Sequence, residues 1–273
     1  MLFVLYGNCQ MKAISEIFMK YIPGHEYTYI TNYTLIKDVN KDSKISDDML
    51  TLLNNADVFI YQPISGYYCF DTDNIIKCIR PNCIKISFAY LYFLGYFPDY
   101  IDDKNNAKTI TEEFPYGLYP YGYESIRKLL FCGKNIWEII SIVQDPEFLT
   151  SEYVINKMNY GLKTLEEKES GTTIKLSEFI RNNYKTMRLF HTVNHPTNAL
   201  LNELVNNILD VLGMKHVLIL DDDEYIGAHS SIIYPVVSKC LELEFEINME
   251  QNAFFITNYI ECLYPNYYYY SSL

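Results

Sequence analysis

The chain has 273 residues, of which 49% are hydrophobic and 16% aromatic, and its 22 Lys and Arg against 34 Asp and Glu give a formal net charge of −12. This composition predicts a folded protein with a sizeable core and argues against disorder. It also argues against a nucleic-acid-binding protein, which needs a basic surface to neutralise phosphates. A small phosphorylated ligand stays open, because one or two cations and a helix N-terminus suffice to bind it.

The sequence predicts a cytoplasmic protein without a membrane span. Its longest apolar stretch, residues 84–97, contains polar residues, stops at Pro98 and is shorter than the about 20 residues that a span needs. The N-terminal residues have neither the basic region nor the cleavage site of a signal peptide. The seven cysteines are odd in number and form no C-x-x-C pair, which favours free thiols in a reducing compartment.

The first ninety residues alternate between apolar segments typical of buried strands and amphipathic segments typical of helices. Strands are predicted to begin near positions 2, 27, 57 and 84, with helices at 11–21, 46–55 and 72–80. A spacing of about thirty residues is characteristic of β-α-β units. The fold class predicted is therefore α/β, a parallel sheet flanked by helices, with a largely helical insertion or subdomain.

The rest of the chain is predicted to be mostly helical. Residues 90–123 are rich in Tyr, Pro and Gly and show no periodicity, so they are either a lid or binding loop or a surface loop held by its aromatic residues. Helices are predicted at 124–144, 146–168, 177–184 and 196–212, and strands at 188–191 and 217–220. We predict one α/β domain over 1–273, with 1–90 and about 186–245 forming the sheet core and about 91–185 a loop and helical subdomain.

The first candidate for chemistry is the turn Gly7-Asn8-Cys9-Gln10, which follows the first strand. Ligands of parallel α/β sheets bind beyond the carboxyl ends of the strands. Cys9 is expected at such an end and at a helix N-terminus, where the helix dipole lowers the pKa of a thiol. A small buried cysteine in an ordinary strand-helix turn is the alternative.

The second candidate is the segment from His191 to Asn198, which contains two histidines four residues apart. A residue before proline avoids helical geometry, so His191 and His195 do not share a helix face and a metal pair is disfavoured. No metal is therefore expected. His195 is predicted in the turn that opens a helix with Pro196 in its first turn, where it suits a general base. His191 is expected to be structural.

Two further candidates follow predicted strands. Gln62 comes directly after the third strand and is expected at the same sheet edge as Cys9, where its amide orients an acyl group or contributes to an oxyanion hole. A polar residue that merely ends a strand is the alternative. The acidic run Asp221 to Glu224 resembles the metal-binding acidic groups of glycosyltransferases, although such runs are more often solvated turns.

The order of Cys9, Gln62 and His195 along the chain resembles the plan of SGNH hydrolases, whose fold is of the flavodoxin-like kind. In that family a Gly-Asp-Ser turn follows the first strand, and an Asp-x-x-His motif supplies the base late in the chain. This chain departs from the plan, because Cys9 stands in place of the serine and Thr192 in place of the aspartate. No Gly-x-Asn-Asp follows the third strand.

A closer resemblance covers most of the chain. The segments GNCQ at 7–10, ADVFIYQPIS at 56–65, FLGYFPD, FPYGLYPYG, LSEFIRNNYKTMRLFHTVNHPTN and IIYPVVSKCLEL are similar to those of the WcbI family of polysaccharide-biosynthesis acetyltransferases. The resemblance implies an enzyme that binds coenzyme A or acetyl-CoA and O-acetylates a capsular or other cell-surface polysaccharide or its sugar precursor. A glycan or sugar-nucleotide acceptor is the implied partner.

On this interpretation Cys9, Gln62 and His195 are the predicted catalytic residues. His195 takes the proton of the sugar hydroxyl. Cys9 either carries the acetyl group as a thioester, or its side chain does not react and the backbone of its turn supplies N–H groups to the oxyanion. The coenzyme A-binding residues are predicted from their place beside these groups or from their charge, and they are Gly7, Asn8, Gln10, Lys12, Arg188, Asn194 and Asn198.

Two other functions stay open on the sequence. An SGNH-like esterase or deacetylase would hydrolyse an aryl acetate without coenzyme A. A non-catalytic protein that binds a glycan or nucleotide would use the Tyr-rich segment 90–123 as a stacking platform and would not need Cys9 or His195.

Overall fold

The computed structural model describes residues 1–112, 114, 117–221, 223–227 and 230–265. They group into two compact units, each assembled from three stretches of the chain. The first unit comprises Met1–Leu91, Thr164–Arg181 and His195–Ala228, and the second comprises Tyr92–Lys163, Asn182–Asn194 and His229–Leu273. The prediction of a single domain over the whole chain stays a prediction.

A four-stranded parallel sheet forms the centre of the first unit. Its strands are β1 (Leu2–Gly7), β2 (Glu26–Thr31), β3 (Val58–Tyr61) and β4 (Ile84–Ser87), in the order β2-β1-β3-β4. Tyr6 of β1 pairs with Ile30 on one side and with Tyr61 on the other. The predicted α/β fold with a parallel sheet is confirmed. All four strands end at one edge, which fixes where the polar residues that follow them lie.

Helices connect these strands and cover the sheet. They are α1 (Cys9–Tyr21), α2 (Asn32–Ile36), α3 (Asp47–Asn55) and α4 (Thr72–Lys77), with a short 3₁₀ helix at Tyr68–Phe70. The apolar spacing of α1 places Ile14, Ile17 and Phe18 in the interior, where all three are fully buried. Ser46 caps α3 by accepting a hydrogen bond from the backbone N–H of Met49, as its position before two acidic residues predicts.

The middle of the chain is helical, as predicted. Its elements are β5 (Tyr100–Ile101), a 3₁₀ helix (Lys104–Thr109), β6 (Gly122–Tyr123), α5 (Glu124–Phe131), α6 (Ile136–Val143), α7 (Ser151–Glu169) and α8 (Ser177–Asn183). The prediction of one helix over 124–144 is wrong. Gly133 takes a left-handed φ of 76° that ends α5, and Asn135 with Glu138 forms a capping box that begins α6.

Residues 91–99 of the Tyr-rich segment 90–123 differ from both interpretations offered for it, which stay open for the rest of the segment. Most of residues 91–99 are buried in the interior, including Phe93 and Tyr96, which are 0% exposed. The hydroxyl of Tyr96 donates to the backbone carbonyls of Tyr184 and Met187, at 2.6 Å and 2.9 Å. The absence of periodicity therefore reflects a buried irregular segment, at least for residues 91–99. Residues 113, 115 and 116 lie outside the described part.

The C-terminal elements are β7 (Phe190–Thr192), β8 (His195–Pro196), α9 (Asn198–Leu212), α10 (Pro235–Leu241) and α11 (Met249–Leu263). Pro196 lies in β8 and not in the first turn of α9, because the extended Thr197 is the N-cap residue. Gly213 ends α9 in the left-handed conformation, as predicted. Within the described residues the segment 186–245, predicted to belong to the sheet core, contributes no strand to the parallel sheet.

The predicted strand over 217–220 is absent. Side chains of α9 instead bind backbone N–H groups of this stretch. Asn206 Oδ1 accepts from the N–H of Val217, and Asn202 Oδ1 accepts from that of Ile219. Leu218 and Leu220 are exposed. Among the helices that the structure describes, none has both the length and the apolar character of a membrane span.

Candidate active site

The candidate site is built on the turn that joins β1 to α1. Asn8 is extended and is the N-cap residue of α1, and its side chain accepts a hydrogen bond of 2.9 Å from the N–H of Gln10. Cys9 is therefore the first residue of a 13-residue helix, at the carboxyl edge of the sheet. The predicted position of Cys9 at a strand end and a helix N-terminus is confirmed.

A chain of buried amides holds this turn in place. Gln62, 1% exposed and directly after β3, accepts from the N–H of Asn8 through Oε1 at 3.0 Å. Its Nε2 donates to Oε1 of Gln10 at 2.9 Å. Gln10 in turn donates to the carbonyl of Leu91 and accepts from its N–H, at 2.8 Å and 3.1 Å. We call Asn8, Gln10, Gln62 and Leu91 the amide frame. Their hydrogen bonds connect the ends of β1 and β3 to Leu91.

The frame leaves no room for a side chain at position 7. A Cβ built on Gly7 would stand 2.6 Å from Oε1 of Gln62 and 2.8 Å from Cβ of Met11. Both neighbours are fixed, the first by its hydrogen bonds and the second by α1. Glycine is therefore required here because the amide of Gln62 approaches the backbone closely.

The Cys9 thiol is half-buried, and its pKa is raised above the ordinary value. Burial is the main cause, since it disfavours the thiolate, while the backbone N–H groups of Gln10 and of Cys9 itself lower the pKa by a smaller amount. The N–H groups at the helix N-terminus therefore lower this pKa, as expected, but the net shift is upward because desolvation is the larger effect. Near neutral pH the group is a thiol.

Tyr29 of β2 contacts the turn, and the sequence did not predict this contact. Its hydroxyl donates to the carbonyl of Asn8 at 2.9 Å, and burial raises its pKa to about 12. The backbone of Leu91 was missed as well. Neither carries a signal in the sequence, because Tyr29 is one of 27 tyrosines and Leu91 contributes only its peptide groups.

His195 is half-buried in β8 and belongs to the same compact unit as Cys9. His191 lies in β7, so the two histidines are on separate strands and share no helix face, as predicted. The role of His195 as the base that takes the proton of the sugar hydroxyl stays a prediction. Within the described residues no cluster of three or more His, Cys, Asp or Glu side chains is arranged to hold a metal ion.

The backbone N–H and the side-chain amide of Asn198 are hydrogen-bonded within the protein. Its Oδ1 accepts from the N–H of Tyr225 at 3.2 Å, its Nδ2 donates to the carbonyl of Asp223 at 3.0 Å, and its N–H donates to Oε2 of Glu224 at 2.5 Å. The acidic run is thus folded against the N-terminus of α9, where carboxylates are favoured. Asp221 pairs with Lys20 on α1. Asp222 lies outside the described residues.

The other residues predicted to bind coenzyme A are divided between the two units. Lys12 is exposed on the first turns of α1, with its Nζ 3.7 Å from a carboxylate oxygen of Glu16. Arg188 and Asn194 belong to the second unit. There Arg188 donates to the backbone carbonyl of Phe190 and to the Ser230 hydroxyl, while Asn194 accepts from the Thr192 hydroxyl.

The chain is similar to known proteins in sequence and in fold. A comparison with curated proteins gives no match. A solved structure described as WcbI, a novel polysaccharide biosynthesis enzyme, aligns with a TM-score of 0.72 and 17% identity, covering 99% of this chain and 97% of its own. That protein is described as the native form without a disulfide bond between coenzyme A and one of its cysteines. At this identity the likeness shows a shared fold.

The family model described as polysaccharide biosynthesis enzyme WcbI matches residues 2–217, most of the chain. The match includes the turn at Cys9, the amide frame and His195. The chain belongs to the WcbI family of polysaccharide biosynthesis enzymes.

Proposed function

We propose that this enzyme transfers the acetyl group of acetyl-CoA to a hydroxyl group of a polysaccharide or of its sugar precursor. The observation that carries the proposal is the placement of the Cys9 thiol on the first residue of α1, beyond the carboxyl edge of the parallel sheet. This is where ligands of such sheets bind. The coenzyme A named for the similar solved structure supports the same class of donor.

The N-terminus of α1 suits a donor that carries phosphates. The dipole of α1 favours anions at this end, and exposed Lys12 adds a cation within the first turns. Asn8 and Gln10 are engaged in the amide frame, so we assign them to shaping this end of the site. The same holds for Gln62, which is a positioning residue because both ends of its amide bond within the protein.

Two routes deliver the acetyl group. In the covalent route the Cys9 sulfur attacks the acetyl carbonyl, and the bond to the coenzyme A sulfur breaks as the Cys9 thiol proton passes through a base to the leaving coenzyme A thiolate. The acceptor hydroxyl then attacks the Cys9 thioester, its proton moves to His195, and Cys9 leaves as the thiolate, which is then protonated. In the direct route the acceptor oxygen attacks acetyl-CoA, His195 takes its proton, and coenzyme A leaves as the thiolate, which is then protonated.

The state of the thiol favours the direct route. Burial raises the pKa of Cys9, so the covalent route needs a base to take its proton. Tyr29 interacts electrostatically with Cys9, but its pKa of about 12 excludes it as a base near neutral pH. In the direct route Cys9 lies beside the thioester, and the first turn of α1 supplies N–H groups to the developing oxyanion.

The test measures coenzyme A release from acetyl-CoA with glycan acceptors, together with thermal shifts under reducing conditions. We expect Cys9→Ala to keep most of its turnover, and His195→Ala to lower kcat by about 10²–10⁴-fold without abolishing the shift with coenzyme A. His216→Ala is the matched control, because His216 is an exposed histidine paired with Asp210. A Cys9→Ala protein that binds acetyl-CoA but is inactive would establish the covalent route, whereas no thermal shift with any coenzyme A species would refute the function.

A further inference from the structure

A cavity of about 260 Å³ lies within the second compact unit, and one face of α11 forms much of its wall. Gln251, Phe254, Phe255 and Asn258 follow the spacing i, i+3, i+4 and i+7, so their side chains share this face. The wall therefore has two aromatic rings with a carboxamide on each side of them along the helix. None of these four residues belongs to the site proposed for acetyl transfer.

The aromatic residues differ in their surroundings. Phe255 is half-buried and packs edge-to-face on Tyr119, with ring centroids 5.4 Å apart. Phe254 is 73% exposed although it lines the cavity. A large exposed aromatic ring at a cavity gains little from burial in the fold and offers its face to a ligand.

Polar groups around these rings can bind hydroxyl groups. Asn258 is half-buried, and Gln251 is exposed. The side-chain amides of both residues make no hydrogen bond to another residue in the described part of the chain. Each amide offers donors and an acceptor, which matches a ligand whose hydroxyl groups both donate and accept.

The charge of the cavity favours an anion. Arg188 lines it, and no Asp or Glu is among its described lining residues although the chain has 34 acidic residues. The guanidinium is held in place by hydrogen bonds to the carbonyls of Phe190 and Ser231 and to the Ser230 hydroxyl, at 3.0–3.2 Å. An oriented guanidinium favours carboxylate or phosphate groups.

We propose that this cavity binds one sugar residue that carries an anionic group, such as a uronic acid of the acceptor glycan. Its volume is below the roughly 300–1,000 Å³ of sites for drug-sized ligands, which suits a single sugar ring better than a nucleotide. The Phe254 ring stacks on the apolar face of the sugar, Asn258 and Gln251 bind its hydroxyl groups, and Arg188 binds its acidic group. The cavity alone indicates the sugar site, and the statement that this sugar belongs to the acceptor rests on the proposed function.

The test uses the full chain and measures binding by calorimetry or ligand-observed NMR. The probes are methyl glucuronide, the neutral methyl glucoside and adenosine 3′,5′-bisphosphate, which represents the nucleotide part of coenzyme A. We expect the glucuronide to bind more tightly than the glucoside. Phe254→Ala should weaken its binding about threefold to tenfold, and Asn258→Ala should also weaken it. Trp137→Ala should not, because Trp137 is 80% exposed and does not line the cavity.

Arg188→Gln is expected to remove the preference for glucuronide over glucoside, and Arg188→Lys to restore part of it. Absence of glucuronide binding, or binding that Phe254→Ala and Asn258→Ala leave unchanged, would overturn the proposal. If adenosine bisphosphate alone binds and the same variants weaken it, the cavity belongs to the donor, as the sequence predicted for Arg188. Glucuronide binding without any acetyl transfer would refute the proposed function and leave this site intact.

Discussion

At the scale of single residues, the position of Cys9 depends on side chains that are themselves immobilised. Gln62 and Gln10 are both buried, and each uses its amide on backbone groups of the turn or of Leu91. A buried amide that loses its partner costs about 1–3 kcal/mol, so the frame resists rearrangement. The pattern Gly-Asn-Cys-Gln thus contains one reactive group and three residues that position it.

Gly7 offers a test of the frame that leaves every reactive group in place. Gly7→Ala inserts a methyl group against Gln62 and Met11, and overpacking of this kind lowers the free energy of unfolding by about 1–3 kcal/mol. Gly171→Ala is the control, since a Cβ there meets nothing within 4 Å and its φ is not left-handed. Urea denaturation of both variants gives the comparison. Equal unfolding free energies would mean that the turn adapts to the methyl group at no cost.

At the scale of elements, the sequence predicts the sheet half of the molecule well. Four apolar segments about thirty residues apart become the four parallel strands, and Ser46 caps α3 as its position indicates. Gln62 lies at the same sheet edge as Cys9, as the strand ends imply. These features are local, or follow from the parallel arrangement alone.

Apart from the break between α5 and α6, the features that were predicted wrongly depend on residues outside the segment concerned. The stretch 217–220 is a continuous apolar run, which is typical of a buried strand, but asparagines of α9 bind its peptide groups. Residues 91–99 lack periodicity because they are buried in irregular conformation. The thiol pKa of Cys9 depends on its degree of burial, which the sequence does not express.

The break between α5 and α6 can be tested at its cap. Asn135 accepts from the N–H of Glu138 and completes a capping box, so Asn135→Ala should lower the free energy of unfolding by about 0.5–2 kcal/mol. Asn135→Asp keeps the acceptor and should remain close to the parent protein. The measurement is urea denaturation followed by circular dichroism. If alanine and aspartate behave alike, the break is set by Gly133 alone.

At the scale of the whole molecule, the acidic composition includes carboxyl groups that are buried in the second unit, and Asp99 is one of them. Asp99 is 3% exposed and accepts hydrogen bonds from the Ser125 hydroxyl and N–H and from the Tyr234 hydroxyl. Burial still raises the pKa of Asp99, because these bonds compensate only part of the desolvation.

This raised pKa makes stability depend on pH in a defined direction. The folded state holds the Asp99 proton more tightly than the unfolded chain, so this group's contribution to stability falls as pH rises above about 4, the ordinary value for aspartate, through the folded-state pKa. The free energy of unfolding of the parent protein minus that of Asp99→Asn should therefore decrease over this window. Denaturation of both proteins at matched pH values measures the difference, and a difference that rises with pH would contradict the assignment.

The amide frame has a consequence for kinetics as a function of pH. Its members are carboxamides and peptide groups, and burial raises the pKa of Tyr29, whose phenol donates to the carbonyl of Asn8, to about 12. The scaffold around Cys9 therefore keeps one protonation state over the whole working range. An inflection in a pH–rate profile of this enzyme accordingly reports a reacting group, such as the base or the thiol, and not a reshaping of the turn that carries it.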